Sequence, residues 1–85
     1  MVLDMLDVEK VKSLLQDEID KREKAKVKWL MYRTSDDNEY LEELYERRYH
    51  RYCSRFNGMC DLLFDLGILA WCNDDYKVCV EKRVD

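Results

Sequence analysis

The sequence predicts a mainly α fold: an antiparallel helical hairpin with a long second helix, closed by a short C-terminal β-hairpin and assembling as a helical-bundle dimer. Three observations predict it. The chain of 85 residues has no proline, only two glycines and 40% charged residues, a composition that suits long helices with solvated outer faces. Its apolar residues recur at spacings of three and four over two long stretches, the period of an amphipathic helix. After Leu66-Gly67 the pattern changes to a β-prone run, a turn cluster and an alternating run, which reads as two short strands. The 85 residues are one domain, with a first helix over 8–32, a second over 38–66 and a β-hairpin over 68–82.

The first helix starts at Asp7, whose side chain can cap the free N–H groups of the first turn. Val8, Val11, Leu14, Leu15, Ile19, Ala25, Trp29 and Tyr32 then keep the helical period. Glu18 and Arg22 fall on the same face at a spacing suited to mutual pairing, which predicts a middle wetter than the ends. Thr34 to Asn38 breaks the pattern, and Asp36 followed three residues later by Glu39 forms a capping pair for the next helix. So short a loop favours antiparallel neighbours.

The second helix runs for roughly 43 Å at about 1.5 Å per residue. Tyr40, Leu41, Leu44, Tyr45, Tyr49, Tyr52, Cys53, Phe56, Met59, Cys60, Leu62, Leu63 and Leu66 cover about half of its cylinder, while Gly58 lies on the polar side. One partner helix cannot cover a face that wide. Gly67 suits the left-handed position that ends a helix. Ile68 to Cys72, the turn Asn73-Asp74-Asp75, and Tyr76, Val78 and Val80 alternating with Lys77, Cys79 and Glu81 then make the hairpin; a third short helix over Ile68–Cys72 is the competing reading. The Cys72 to Cys79 spacing lets the two thiols face each other across it.

A single core in a chain this small leaves only about 3–5 kcal/mol unless something reinforces it. Assembly is the expected reinforcement, and Tyr40, Leu41, Leu44, Tyr45, Tyr52, Phe56 and Met59 are the expected self-association face, since aromatic and Met side chains bring large contact area.

Several classes are disfavoured. The net charge of −4 opposes the general phosphate attraction behind non-specific DNA binding. Met1 to Leu6 lacks the basic start, long apolar run and small-residue cleavage site of a secretory signal, and no stretch has membrane-spanning length, so a cytoplasmic protein with no membrane partner is expected. Cys53, Cys60, Cys72 and Cys79 are then expected to be reduced thiols. With His50 they could be drawn as a zinc site, but no cysteine pair has the close spacing of a metal clamp, so neither metal nor cofactor is expected. A lone histidine near Cys53 on one helix lacks an orienting third group for catalysis, and no glycine-rich phosphate loop is present. No enzymatic activity is expected.

The sharpest local feature is Arg47-Arg48-Tyr49-His50-Arg51-Tyr52, extended by Arg55. Arginine interleaved with tyrosine contacts phosphates and stacks on bases, so Arg47, Arg48, Arg51 and Arg55 are candidates for contact with a partner or a nucleic acid. Folding the chain back about Ser35-Asp36 instead sets Arg48 near Glu23, Arg51 near Asp20 and Arg55 near Asp17. Pairing of that kind is the preferred reading.

From Asn57-Gly58-Met59-Cys60 through Leu66-Gly67-Ile68-Leu69 to Tyr76-Lys77-Val78, the end of the chain resembles the close of small helical accessory proteins carried by phages and mobile elements of bacteria. The resemblance covers about a third of the chain and rests on no diagnostic motif. It implies a protein that acts inside the host cell by binding a host or phage protein, as a modulator or inhibitor. The expected function is therefore a non-enzymatic, self-associating helical protein that binds another protein; the alternative is a small nucleic-acid-binding regulator using Arg47 to Arg55.

Overall fold

The computed structural model describes residues 7–34 and 38–82. Helix α1 spans Val8–Arg33 and helix α2 Glu39–Asp65; strands β1, Ile68–Cys72, and β2, Val78–Lys82, pair antiparallel. The helical hairpin with a C-terminal β-hairpin is thus formed, and Ile68–Cys72 is a strand rather than a third helix.

Local chemistry sets the ends of the helices. The Asp7 carboxylate accepts the N–H of Lys10 at 3.2 Å, which satisfies one of the donors that a first turn leaves free. At the other end of α1 the Thr34 hydroxyl donates to the Met31 carbonyl at 2.9 Å. Helix α2 starts from Asn38, whose side chain makes no capping bond; Asp36, the expected cap, lies outside the described residues. Gly67 ends α2 at φ 88°, and its N–H donates to the Phe64 carbonyl at 3.0 Å.

The β-hairpin turns through a tight turn followed by Tyr76 in the left-handed region, at φ 60°. Asn73 organises it: its Oδ1 accepts the N–H groups of Asp75 at 2.9 Å and Lys77 at 3.0 Å. The extra residue in the turn sets the register. Cys72 stands opposite Val78 and Trp71 opposite Cys79, so Cys72 and Cys79 project from opposite faces and do not face each other as their spacing allowed. A shift of one residue moves every side chain to the other face.

The core sits at the open end of the helical hairpin. Leu15 and Ile19 of α1, Phe56 and Leu63 of α2, Ile68 of β1 and Val78 of β2 form one buried cluster, with α1 packed on β2 and α2 on β1. Three layers meet there. Gln16 fastens the third: its Oε1 accepts the Val78 N–H at 2.8 Å and its Nε2 donates to the Tyr76 carbonyl at 2.9 Å. One side-chain amide thereby occupies the edge of β2 as a neighbouring strand's peptide would.

Toward the loop end only the two helices remain. Ala25 is buried, and aromatic rings fill the rest of the seam: Trp29 lies 5.6 Å from Tyr49, and Tyr32 stacks on Tyr45 at 5.7 Å between centroids. No third layer covers this end among the described residues, and Val27, Leu30, Met31 and Tyr40 are exposed, Val27 at 66% and Tyr40 at 71%.

Candidate functional site

Leu41, Leu44, Arg48, Arg51, Arg55, Met59 and Leu62 follow one another at spacings of three and four, so they form one ridge along α2. The ridge is aliphatic at both ends and cationic in the middle. It borders the groove between the helices: the Lys28 ammonium of α1 lies 5.5 Å, and the Arg48 guanidinium 5.3 Å, from the centroid of the same Tyr45 ring. Leu41, Leu44 and Met59 are half-buried, and Arg48, Arg51, Arg55 and Leu62 are exposed.

The arginines do not make the expected set of pairs with α1. Arg55 reaches Glu18 at 2.9 Å instead of Asp17. Asp17 holds Lys21 at 3.0 Å, Glu23 holds Arg22 at 2.8 Å, and Asp20 accepts from Gln16 at 3.1 Å. Residues adjacent on a helix point about 100° apart, so docking one residue away from the expected register brings Glu18 inward and leaves Asp17 outside. The pairing expected between Glu18 and Arg22 is likewise replaced, and the middle of α1 is not its wet part: Glu18 is only 6% exposed. Its second oxygen, Oε2, is buried with no hydrogen-bond partner among the described residues.

Arg47 points to its own helix, 3.8 Å from Glu43. Arg48 and Arg51 have no ion pair among the described residues. The opposite flank of α2 differs in chemistry: Glu42, Glu46, Tyr49 and Cys53 follow one another at helical spacing, and the His50 ring sits 6.0 Å from Trp29 and 3.9 Å from the Glu46 carboxylate.

The expected self-association face is divided by the fold. Phe56, at 6% exposed, belongs to the chain's own core, and Tyr45 is stacked on Tyr32. Leu41, Leu44, Tyr52 and Met59 are half-buried and Tyr40 is exposed. The exposed Val27, Leu30 and Met31 escaped the sequence reading because they lie off the stripe that α1 turns toward α2, although their own spacing of three and four was a signal.

The four cysteines are unpaired and half-buried. Burial is the main cause that raises the pKa of Cys60 and Cys72, and for Cys72 it outweighs the opposing effect of the Arg22 guanidinium. Tyr49 also holds its proton more tightly, first through a hydrogen bond with Cys53 and then through burial. Among the described residues no cluster of three His, Cys, Asp or Glu side chains has the geometry to hold a metal ion. A surface depression of about 500 Å³ is lined by Glu9, Lys12, Ser13, Leu14, Gln16, Asp17 and Asp20. All seven belong to α1, so no second element closes over it as a ligand pocket requires. Among the described residues no helix is long and apolar enough to cross a membrane.

No protein family, curated protein or solved structure matches the chain.

Proposed function

We propose that this chain is a non-enzymatic helical hairpin that self-associates and acts by binding another protein. The observation that carries the proposal is the loop end, where no third layer covers the two helices among the described residues and Val27, Leu30, Met31 and Tyr40 stay exposed. Large apolar side chains left exposed on a small chain favour association with another polypeptide; Val27 and Met31 lie one turn apart on α1 and Tyr40 is exposed on α2, while Leu14, Leu62 and Phe64 are exposed nearer the open end. At the groove between the helices Lys28 and Arg48 flank Tyr45 without carboxylate partners among the described residues, which adds polar specificity to an apolar contact. Self-association is assigned to the loop end, which replaces the use of Phe56 and Tyr45. The resemblance to accessory proteins of phages and mobile elements extends the proposal to a partner inside a bacterial host cell, modulated or inhibited by the contact.

Affinity capture from the source cell with the tagged chain tests the protein-binding part. A protein retained by the wild type and lost with Leu44→Glu is the expected result. Recovery of nucleic acid alone, abolished by nuclease, would overturn it in favour of a nucleic-acid regulator working through Arg47, Arg48, Arg51 and Arg55.

A further inference from the structure

We infer that the α2 ridge is the docking seam for one helix of a different protein, apolar at both ends and acidic in its middle turns. The inference rests on the protein-binding reading and names the partner's chemistry. Leu41, Leu44, Arg48, Arg51, Arg55, Gly58 and Leu62 recur at alternating spacings of three and four, the seam pattern of a coiled coil. Leucine occupies its first two positions and its last, and Met59 flanks the far end. Arginine occupies the centre, and the Gly58 position is open, with nothing within 4 Å of a Cβ placed there.

Charge decides the occupant. Of the central cations, Arg55 is neutralised by Glu18 at 2.9 Å, whereas Lys28 and Arg48 flank the Tyr45 ring at the groove and Arg51 is exposed on the ridge beside them, all three with no carboxylate partner among the described residues. A second copy fits this seam poorly. In parallel alignment Arg48 and Arg51 would meet their own counterparts, and in antiparallel alignment with the leucine ends matched Arg51 would meet Arg51 and Arg48 would meet Arg55. Like charges at facing positions disfavour both arrangements. A nucleic acid fits less well. Polyphosphate gains nothing from the flanking Leu41, Leu44 and Met59, and Tyr45, the ring beside the central arginines, is already stacked on Tyr32 at an interplanar angle of 12° and flanked by Lys28 and Arg48; the exposed Tyr40 lies two turns before Arg48, at the aliphatic end of the ridge. Bases need a free ring face. An acidic amphipathic helix meets both requirements. From Leu41 to Leu62 the seam runs about 32 Å at about 1.5 Å per residue, the length of about six turns.

The test uses the full chain and three fluorescent probes. One is a helical peptide with leucine at the seam positions of its first and last heptads and glutamate at the central ones. The second is the same peptide with lysine for glutamate, and the third is a single-stranded oligothymidylate. Anisotropy should show the acidic peptide binding at least about tenfold more tightly than the basic one, a difference of about 1.4 kcal/mol. Arg48→Glu with Arg51→Glu should abolish that preference and transfer it to the basic peptide. Because neither arginine makes an ion pair among the described residues and both are exposed, the double variant should keep its helical circular dichroism; Lys28→Glu, on the other helix, provides an independent variant that weakens acidic-peptide binding. Equal binding of both peptides, absence of binding, or tighter binding of the oligothymidylate would each overturn the inference. Light scattering on the same samples separates the two readings. A dimer that ignores the acidic peptide removes only the acidic-helix assignment, and a dimer lost in the double arginine variant shows that the seam serves self-association instead.

Discussion

Gln16 does for the β-hairpin what a third strand would do. Its amide accepts from the Val78 N–H and donates to the Tyr76 carbonyl, so two backbone groups at the edge of a two-stranded sheet are paired. A two-stranded hairpin is marginal by itself in water, and these bonds join it to α1. Gln16→Ala should cost about 1–3 kcal/mol, the penalty for leaving such groups unmade, with amide exchange accelerated first at Val78; an unchanged urea midpoint and unchanged exchange would count against this role. The thiols of Cys60 and Cys72 give a second residue-level expectation. Their pKa values are raised chiefly by burial, so the fold favours the protonated form. The stability tied to them is intact below the unfolded thiol pKa of about 8.5 and is lost as pH rises through the higher folded value. Urea unfolding should therefore show declining stability across the alkaline range, and Cys60→Ala with Cys72→Ala should flatten the decline. Alkylation, which proceeds through the thiolate, should have its pH midpoint at these two positions higher in the native protein than in urea.

Helix α2 carries the interior glycine with the clearest consequence. A Cβ at Gly58 meets nothing within 4 Å, so Gly58→Ala should raise stability by about 0.5–1 kcal/mol through backbone entropy alone. A lower thermal midpoint would show that the position is packed in solution, as it would be within an assembly. The Glu18 to Arg55 contact joins the two helices and behaves asymmetrically. Removing Arg55 leaves a carboxylate that is 6% exposed without its cation, so Arg55→Leu should destabilise by roughly 1–3 kcal/mol, moderated by solvent reaching the half-exposed arginine site. Adding Glu18→Leu should recover most of that loss, and a double variant no better than the single one would contradict the pairing. This contact also shows where sequence reading stops. The periodicity of α2 and the capping chemistry of Asp7 placed both helices within a residue or two of their observed ends, and Gly67 marked the stop. Periodicity gives the inner face of each helix but not the phase of one helix against the other, so Asp17 was chosen where Glu18 is used. The β-hairpin was legible from its turn residues, while its register depended on Tyr76 adopting a left-handed conformation, which a tyrosine does not announce. The ridge of α2 was readable in principle. Its leucines were grouped with the apolar face and its arginines with a charged stripe, and only the groove beside Lys28 and Tyr45 shows them as one surface.

At the level of the full hairpin, shape carries the argument. The chain measures 54 × 20 × 20 Å with a radius of gyration of 15.7 Å, against about 12 Å for a compact domain of this length. A rod has more surface for its volume than a sphere, so a smaller share of its apolar groups can be covered from within. The β-hairpin supplies a third layer at the open end, and among the described residues the loop end has two helices only. On the proposed reading Val27, Leu30, Met31 and Tyr40 meet another polypeptide, and a symmetric contact between two loop ends would supply to both copies at once the layer that the described residues do not. Light scattering at micromolar concentration tests this most directly. The prediction is a mass of at least twice the 10.4 kDa of one chain, reduced to that of the monomer by Val27→Glu with Met31→Glu while helical circular dichroism is retained. A well-folded wild-type chain that stays at 10.4 kDa across the concentration range would contradict it.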